Sequence, residues 1–151
     1  MTGWEAPLEG GSLAAALLRA ADWFNDALLA RLHDAGWPSL SRGHAQVFVN
    51  LGEDGATPAE LARRMGMTRQ SAHALVRDLA GLGLVELVGH PTDGRSRLVR
   101  LTDEGEELVG VAVATLAEIE QVLVGRIGAD GVSGLRTALA RGWGEPPSGP
   151  D

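Results

Sequence analysis

Met67-Thr68-Arg69-Gln70-Ser71-Ala72-His73-Ala74-Leu75-Val76-Arg77-Asp78-Leu79 is the stretch whose reading decides the fold. Thr68 is a good N-cap, because its hydroxyl can accept from the unpaired backbone N–H groups that open a helix. Behind it, Ala72, Leu75, Val76 and Leu79 recur at i, i+3, i+4 and i+7, which makes one face apolar and built for burial. The opposite face carries Arg69, Gln70, Ser71, His73 and Arg77, side chains suited to base edges and phosphates. Immediately upstream, Thr57-Pro58-Ala59-Glu60-Leu61-Ala62-Arg63-Arg64 has an N-cap, Pro at the first helical position and Glu at the third, the pattern of a capping box. Gly66 stands between the two helices, where the turn needs a residue free to adopt positive φ. The pair predicts a helix-turn-helix.

Downstream, Gly81-Leu82-Gly83 ends the second helix, and Leu84 to Val88 reads as a short strand. His90-Pro91-Thr92-Asp93-Gly94-Arg95-Ser96 is turn chemistry, and Arg97 to Leu101 alternates polar and apolar as a second strand. A hairpin directly after a recognition helix is a wing, and Arg95 lies at its tip. The segments LARRMGMTRQSAHALVRDLAGLGLVE (61–86) and DGRSRLVRLTDEG (93–105) resemble the winged helix-turn-helix of the MarR family of transcriptional regulators. Asp93-Gly94-Arg95 matches the aspartate–any–arginine of the family's wing, and Leu101-Thr102 followed by Gly105 matches the passage into the next helix. The likeness covers about 65 residues; the flanking helices fit in length and order more than in motif. It departs from the family at Ala74, where relatives often carry Arg, and at Arg77-Asp78, which reverses a common acidic–basic order. The resemblance implies a two-fold dimer formed through the first and last helices, and a DNA-binding repressor displaced by a small molecule.

The expected architecture is mainly α with a small β-hairpin wing, as one domain over 1–151. Its winged helix-turn-helix spans about 41–101, and dimerisation helices cover about 12–35 and 102–143. Residues 1–11 are expected to form a loose arm, and the Pro/Gly/Ser-rich tail 144–151 to be disordered. Ser12 is a plausible N-cap for the first helix, whose stripe is Leu13, Leu17, Ala20/Ala21, Phe24, Leu28 and Leu32. Gly36-Trp37-Pro38 ends that helix. A second helix starts near Ser41 or Arg42 and carries Val47, Phe48 and Leu51, and Gly52 to Gly55 loops onward. Thr102 caps a helix running to about Val124, apolar on more than one face. The glycines from Gly125 to Gly131 break it, and a last helix covers Val132 to Trp143.

The net charge of −7 conceals a reversal of sign. Between Glu60 and Arg100 stand seven arginines and four acids, while the remainder carries six arginines and sixteen acids. A basic island in an acidic chain fits one DNA-facing surface. With no cysteine, disulfide and thiolate chemistry are excluded. No apolar run approaches membrane-spanning length and no signal-peptide layout opens the chain, so a cytoplasmic location without membrane contact is expected. The four histidines (His33, His44, His73 and His90) are scattered, so no metal site and no cofactor are expected. Nucleophile elbows, Gly-rich phosphate loops and zincin motifs are all missing, and Asp22/Asp26 and Glu106/Glu107 read as solvated helix faces.

The DNA-contact candidates are therefore Arg63, Arg64, Thr68, Arg69, Gln70, Ser71, His73, Arg77, Arg95 and Arg97. Arg63 and Arg64 read equally as solvated charges; Arg97 and Arg100 read as phosphate contacts or solvated charges, with Arg97 preferred as the contact. The expected partner is a pseudo-palindromic DNA duplex bound by a homodimer. Trp23, Trp37, His44 and Phe48 are candidate walls of a pocket for a small aromatic or lipophilic ligand, set against ordinary core packing for the same residues. The alternative function is a winged helix kept for protein interaction or dimerisation, with no ligand response.

Overall fold

The computed structural model describes residues 11–148, so the expected arm, apart from Gly11, and the last three residues of the tail lie outside the described chain. Its elements are α1 (Leu13–Asp34), α2 (Arg42–Leu51), α3 (Pro58–Arg64), α4 (Arg69–Gly81), β1 (Val85–Gly89), β2 (Arg97–Leu101), α5 (Asp103–Ile127) and α6 (Ala129–Ala140). The chain divides into two compact units, 1–116 and 117–151, with α5 running from one into the other.

Local chemistry sets most boundaries. Thr57 and Glu60 form the reciprocal capping box of α3, at 3.2 and 2.8 Å, and Thr68 accepts from the Ser71 N–H to open α4. Ser12, by contrast, makes no side-chain cap bond. Three helices end the same way, on a glycine of positive φ followed by a 6→1 backbone bond. These are α1 at Gly36 (Trp37 N–H to Leu32 O, 3.0 Å), α3 at Gly66 (Met67 to Ala62, 3.0 Å) and α4 at Gly83 (Leu84 to Leu79, 3.0 Å). Because Leu84 completes that cap, β1 begins at Val85, one residue later than the pattern suggested.

The core of the first unit gathers the apolar faces of α2, α3 and α4 under the wing: Val47, Leu51, Leu61, Ala72, Val76, Leu79, Leu84 and Val99 are buried. β1 and β2 pair antiparallel, Val85 opposite Leu101 and Gly89 opposite Arg97. Ala56 adds a third, one-residue edge, exchanging both backbone bonds with Val99 at 3.0 and 2.9 Å. The approach leaves no room beside it: a Cβ on Gly55 would meet the Val99 carbonyl oxygen at 2.4 Å. Thr102 then ties the wing to α5, donating its hydroxyl to Gly83 O at 2.6 Å and accepting from the Gly105 N–H at 3.1 Å.

Several expectations need correction. Gly125 and Gly131 do not interrupt the helices; the break is Gly128 alone, at φ +84°, so α5 runs three residues further and α6 starts earlier and ends at Ala140. A glycine at ordinary helical φ costs a helix about 1 kcal/mol, which apolar neighbours outweigh. Asp22 and Asp26 are not merely solvated. Both hold Arg42 of α2 at 2.7 Å and keep its guanidinium more firmly protonated, Asp26 through the stronger hydrogen bond. Among the described residues α5 is long and apolar enough to cross a membrane, judged by length and composition. Glu118 and Glu120 interrupt its apolar run.

Apolar burial is incomplete on the outer helices. The α1 stripe is buried at Leu28 and Leu32, but Leu13 and Leu18 stand about two-thirds exposed. Within the second unit, Ile119 and Val132 are buried and Arg136 pairs with Glu120, while Val122, Leu135, Leu139 and Trp143 remain open. Residues 144–148 are irregular and exposed.

Candidate nucleic-acid interface

The polar face of α4 is exposed along its length. Arg69, Gln70 and Ser71 occupy its first turn, with His73 and Arg77 beyond, and all five are open to solvent. Unlike α3 and α5, α4 has no acidic residue in its first turn, so the positive end of its dipole meets no carboxylate of its own. Thr68 fixes the turn from both sides: its Oγ accepts from the Ser71 N–H at 3.1 Å and donates to the Ser71 hydroxyl at 2.9 Å. Among the described residues no hydrogen bond or ion pair ties the side chains of Arg69, Gln70, His73 or Arg77. Two guanidiniums, an amide and an imidazole on one open helix face can reach phosphates and base edges together.

The wing tip is held by Asp93. Its carboxylate accepts from the Ser96 hydroxyl at 2.7 Å and from the Arg95 N–H at 3.0 Å, and these two bonds hold its carboxyl below the usual range. His90 contributes from the other side, with Nδ1 accepting from the N–H groups of Thr92 and Asp93 at 3.2 Å. The aspartate of the Asp93-Gly94-Arg95 motif thus folds the turn, and Arg95 projects from it exposed.

The remaining arginines divide. Arg63 is exposed on α3. Arg64 donates to the Asn50 carbonyl at 2.7 Å and satisfies the C-terminal end of α2. Arg97 donates to Leu87 O at 2.9 Å across the hairpin, and Arg100 pairs with its cross-strand neighbour Glu86 at 2.8 Å. Arg64, Arg97 and Arg100 therefore stitch the domain, whereas Arg63, Arg69, Arg77 and Arg95 carry their charge outward.

The pocket candidates are half-buried: Trp23, Trp37 and Phe48 all sit between core and surface, and Trp23 meets Phe24 edge-to-face at 5.0 Å. His44 sits in the first turn of α2, where its ring caps the helix. Its Nδ1 accepts from the Ser41 N–H at 3.1 Å while Ser41 Oγ accepts from the His44 N–H, a capping box with histidine in the place usual for Glu or Gln. Sequence reasoning missed this because histidine is not among the residues that signal the box. Among the described residues no group of three His, Asp or Glu side chains is placed to hold a metal ion.

Comparison with known proteins adds three findings. The model of the MarR family matches residues 39–96. An HTH-type transcriptional regulator of Mycobacterium bovis is 35% identical over 74 residues, 48% of this chain and 52% of the relative; the chain spans about half the length of the curated relatives it matches. Among solved structures, MarR of E. coli in its apo form superposes with a TM-score of 0.71 at 20% identity, covering 87% of this chain and 96% of that one. The transcriptional repressor CouR bound to a 23-mer DNA duplex superposes with a TM-score of 0.67 at 26% identity, covering 89% and 97%. CouR from Rhodococcus jostii RHA1 is also solved with p-coumaroyl-CoA, at 24% identity and a TM-score of 0.67, covering 89% and 93%.

Proposed function

We infer that the chain is a MarR-like, sequence-specific DNA-binding transcriptional regulator acting as a two-fold dimer, a reading supported by the match of the MarR family model to residues 39–96. The observation that carries the reading is the open face of α4, with Arg69, Gln70, His73 and Arg77 untied, beside a wing tip that presents Arg95. One α4 enters a major groove per protomer, Arg69 and the first-turn N–H groups take phosphate, and Gln70, His73 and Arg77 face base edges. Arg95 reaches the adjacent minor groove. The exposed apolar side chains of α1, α5 and α6 supply the dimer contact, since a soluble protomer gains nothing by leaving Leu13, Leu18, Leu135 and Leu139 in water.

The test begins with selection of duplexes from a random library on the full chain. The enriched sequence is expected to be a pseudo-palindrome with half-sites about one duplex turn, roughly 34 Å, apart. Affinity for it should fall about a thousandfold between roughly 50 and 200 mM salt if about six phosphates are contacted. A library that yields no preferred sequence, with sedimentation showing a monomer, would favour the protein-interaction module instead.

The regulatory part of the reading is a repressor released by a small aromatic or lipophilic ligand seated near Trp23, Phe24, Trp37 and Phe48. CouR with p-coumaroyl-CoA supports the ligand class. Such a ligand releases DNA only by binding the DNA-incompetent state more tightly. Aromatic acids and their thioesters, titrated by tryptophan fluorescence with and without the selected duplex, check this. A compound that quenches without lowering duplex affinity refutes the switch, and an undiminished response in Trp37→Phe refutes the pocket.

A further inference from the structure

The first turn of α2 touches two other helices through three consecutive residues. Arg42 hooks α1 through Asp22 and Asp26, both at 2.7 Å. Gly43 faces Leu75 of α4 so closely that a Cβ would lie 2.9 Å from a Leu75 methyl. His44 comes next, its side chain only 12% exposed, with Nε2 fully buried and lacking a hydrogen-bond partner. The tautomer follows from the cap. Since Nδ1 accepts from the Ser41 N–H, the ring of neutral His44 carries its proton on Nε2. That N–H faces the carboxylate of Asp78 on α4, Nε2 to Oδ2 3.6 Å, longer than a direct hydrogen bond but within electrostatic reach.

We propose that His44 is a positioning residue for the recognition helix: one ring nitrogen locks the start of α2, and the other holds Asp78 and so fixes the roll of α4. This rests on the DNA-binding reading above and deepens it. Leu75 and Asp78 lie one turn apart on the side of α4 that meets α2, while His73 and Arg77 face outward. With Leu75 seated against Gly43 and Asp78 drawn toward His44, α4 is gripped at two heights. The grip matters because base contacts tolerate little error. On a helix of about 5–6 Å radius, a roll of about 20° moves a side-chain tip by about 2 Å, enough to break a hydrogen bond to a base edge. Phosphate contacts, which are less directional, survive such a roll, so the loss falls on discrimination between sequences rather than on binding as such.

The experiment measures the ratio of affinities for the library-selected duplex and a shuffled duplex of equal length, using the full chain. The ratio cancels the general gain in affinity that removing an acidic charge near DNA would bring. H44E retains an acceptor for the Ser41 N–H but offers no N–H to Asp78 and sets like charge against it; D78N removes the carboxylate and leaves the cap. Each is expected to lower the ratio about fivefold, and the double variant to lower it no further than the worse single one. S41A should lower the melting temperature and leave the ratio as in wild type. In the imidazole ¹⁵N spectrum, His44 should be protonated at Nε2, with that signal displaced in D78N. A wild-type ratio in H44E, losses that multiply in the double variant, or a ring protonated at Nδ1 would overturn the proposal. If wild type itself prefers no sequence, the DNA-binding reading fails and the positioning role with it, whereas a discriminating wild type with an indifferent H44E removes the positioning role alone.

Discussion

Gly105→Ala is expected to lower the melting temperature by about 10 °C. Gly105 is the third residue of α5, buried where the helix leaves the wing, and its backbone runs against the start of the hairpin. A Cβ there would lie 2.0 Å from the Leu84 carbonyl oxygen and 3.0 Å from its carbon. That carbonyl cannot step aside, because it accepts from the Thr102 N–H at 3.2 Å, and Thr102 in turn caps α5 through Gly105. Overpacking against fixed backbone costs about 3 kcal/mol, and in a chain of this size each kcal/mol is worth about 3 °C. Gly110→Ala is the control: the site is exposed, nothing lies within 4 Å of the new Cβ, and removing a mid-helix glycine should stabilise by about 0.5–1 kcal/mol. Thermal unfolding followed by circular dichroism reads both. A Gly105→Ala protein that melts with wild type would mean that α5 does not start against Leu84.

Arg95→Ala is expected to weaken the selected duplex by about 1–3 kcal/mol for each wing, with two wings engaged in a dimer, while the melting temperature stays where it was. The side chain is exposed and its N–H, rather than its guanidinium, is what the turn uses, so Ala removes the charge and spares the fold. Asp93→Ala should act in the same direction for a different reason. It removes the acceptor that gathers Ser96 and Arg95 into the turn, so Arg95 must be ordered at the moment of binding. Acid has the same effect on the wing. The folded carboxyl of Asp93 is held below its ordinary value of 3.8, so its contribution is complete above that value and disappears as pH falls through the lower folded one. The wing should therefore stay ordered at neutral pH and loosen only below about pH 4. Equal affinity of wild type and Arg95→Ala for the selected duplex, measured by anisotropy, would remove the wing from the interface.

Much of this was legible in the residues, because the signals are local. Thr57 with Glu60, and Thr68 before Arg69, announce two helix starts by hydrogen bonds that close within four residues. Gly66 and Gly83 mark two ends by a backbone conformation that other residues rarely adopt. The spacing of Ala72, Val76 and Leu79 determined which face of α4 is buried, and hence that Arg69, Gln70, His73 and Arg77 face out. Periodicity also reported correctly that α5 is apolar beyond one face. It could not report how little of α1 and α6 a single protomer covers, because a stripe states what is available for burial and not what arrives to bury it.

Tertiary structure alone decided which charges are free. Arg64, Arg97 and Arg100 look like Arg63, Arg69 and Arg95 in the sequence, yet a carbonyl 14 residues away, a carbonyl across the hairpin and Glu86 claim them. The same holds for Asp22 and Asp26, solvated by pattern and joined to Arg42 in space. Glycines divide likewise: Gly105 and Gly110 sit five residues apart on one helix, and only the path of Leu84 makes the first irreplaceable. His44, singled out from the sequence as a pocket wall, stands in space against Ser41 and Asp78. A side chain's chemistry and its helix face follow from local order, but its partner follows from how elements far apart in the chain come to pack. Charges and close approaches depend on distances of an ångström or two that no local pattern contains.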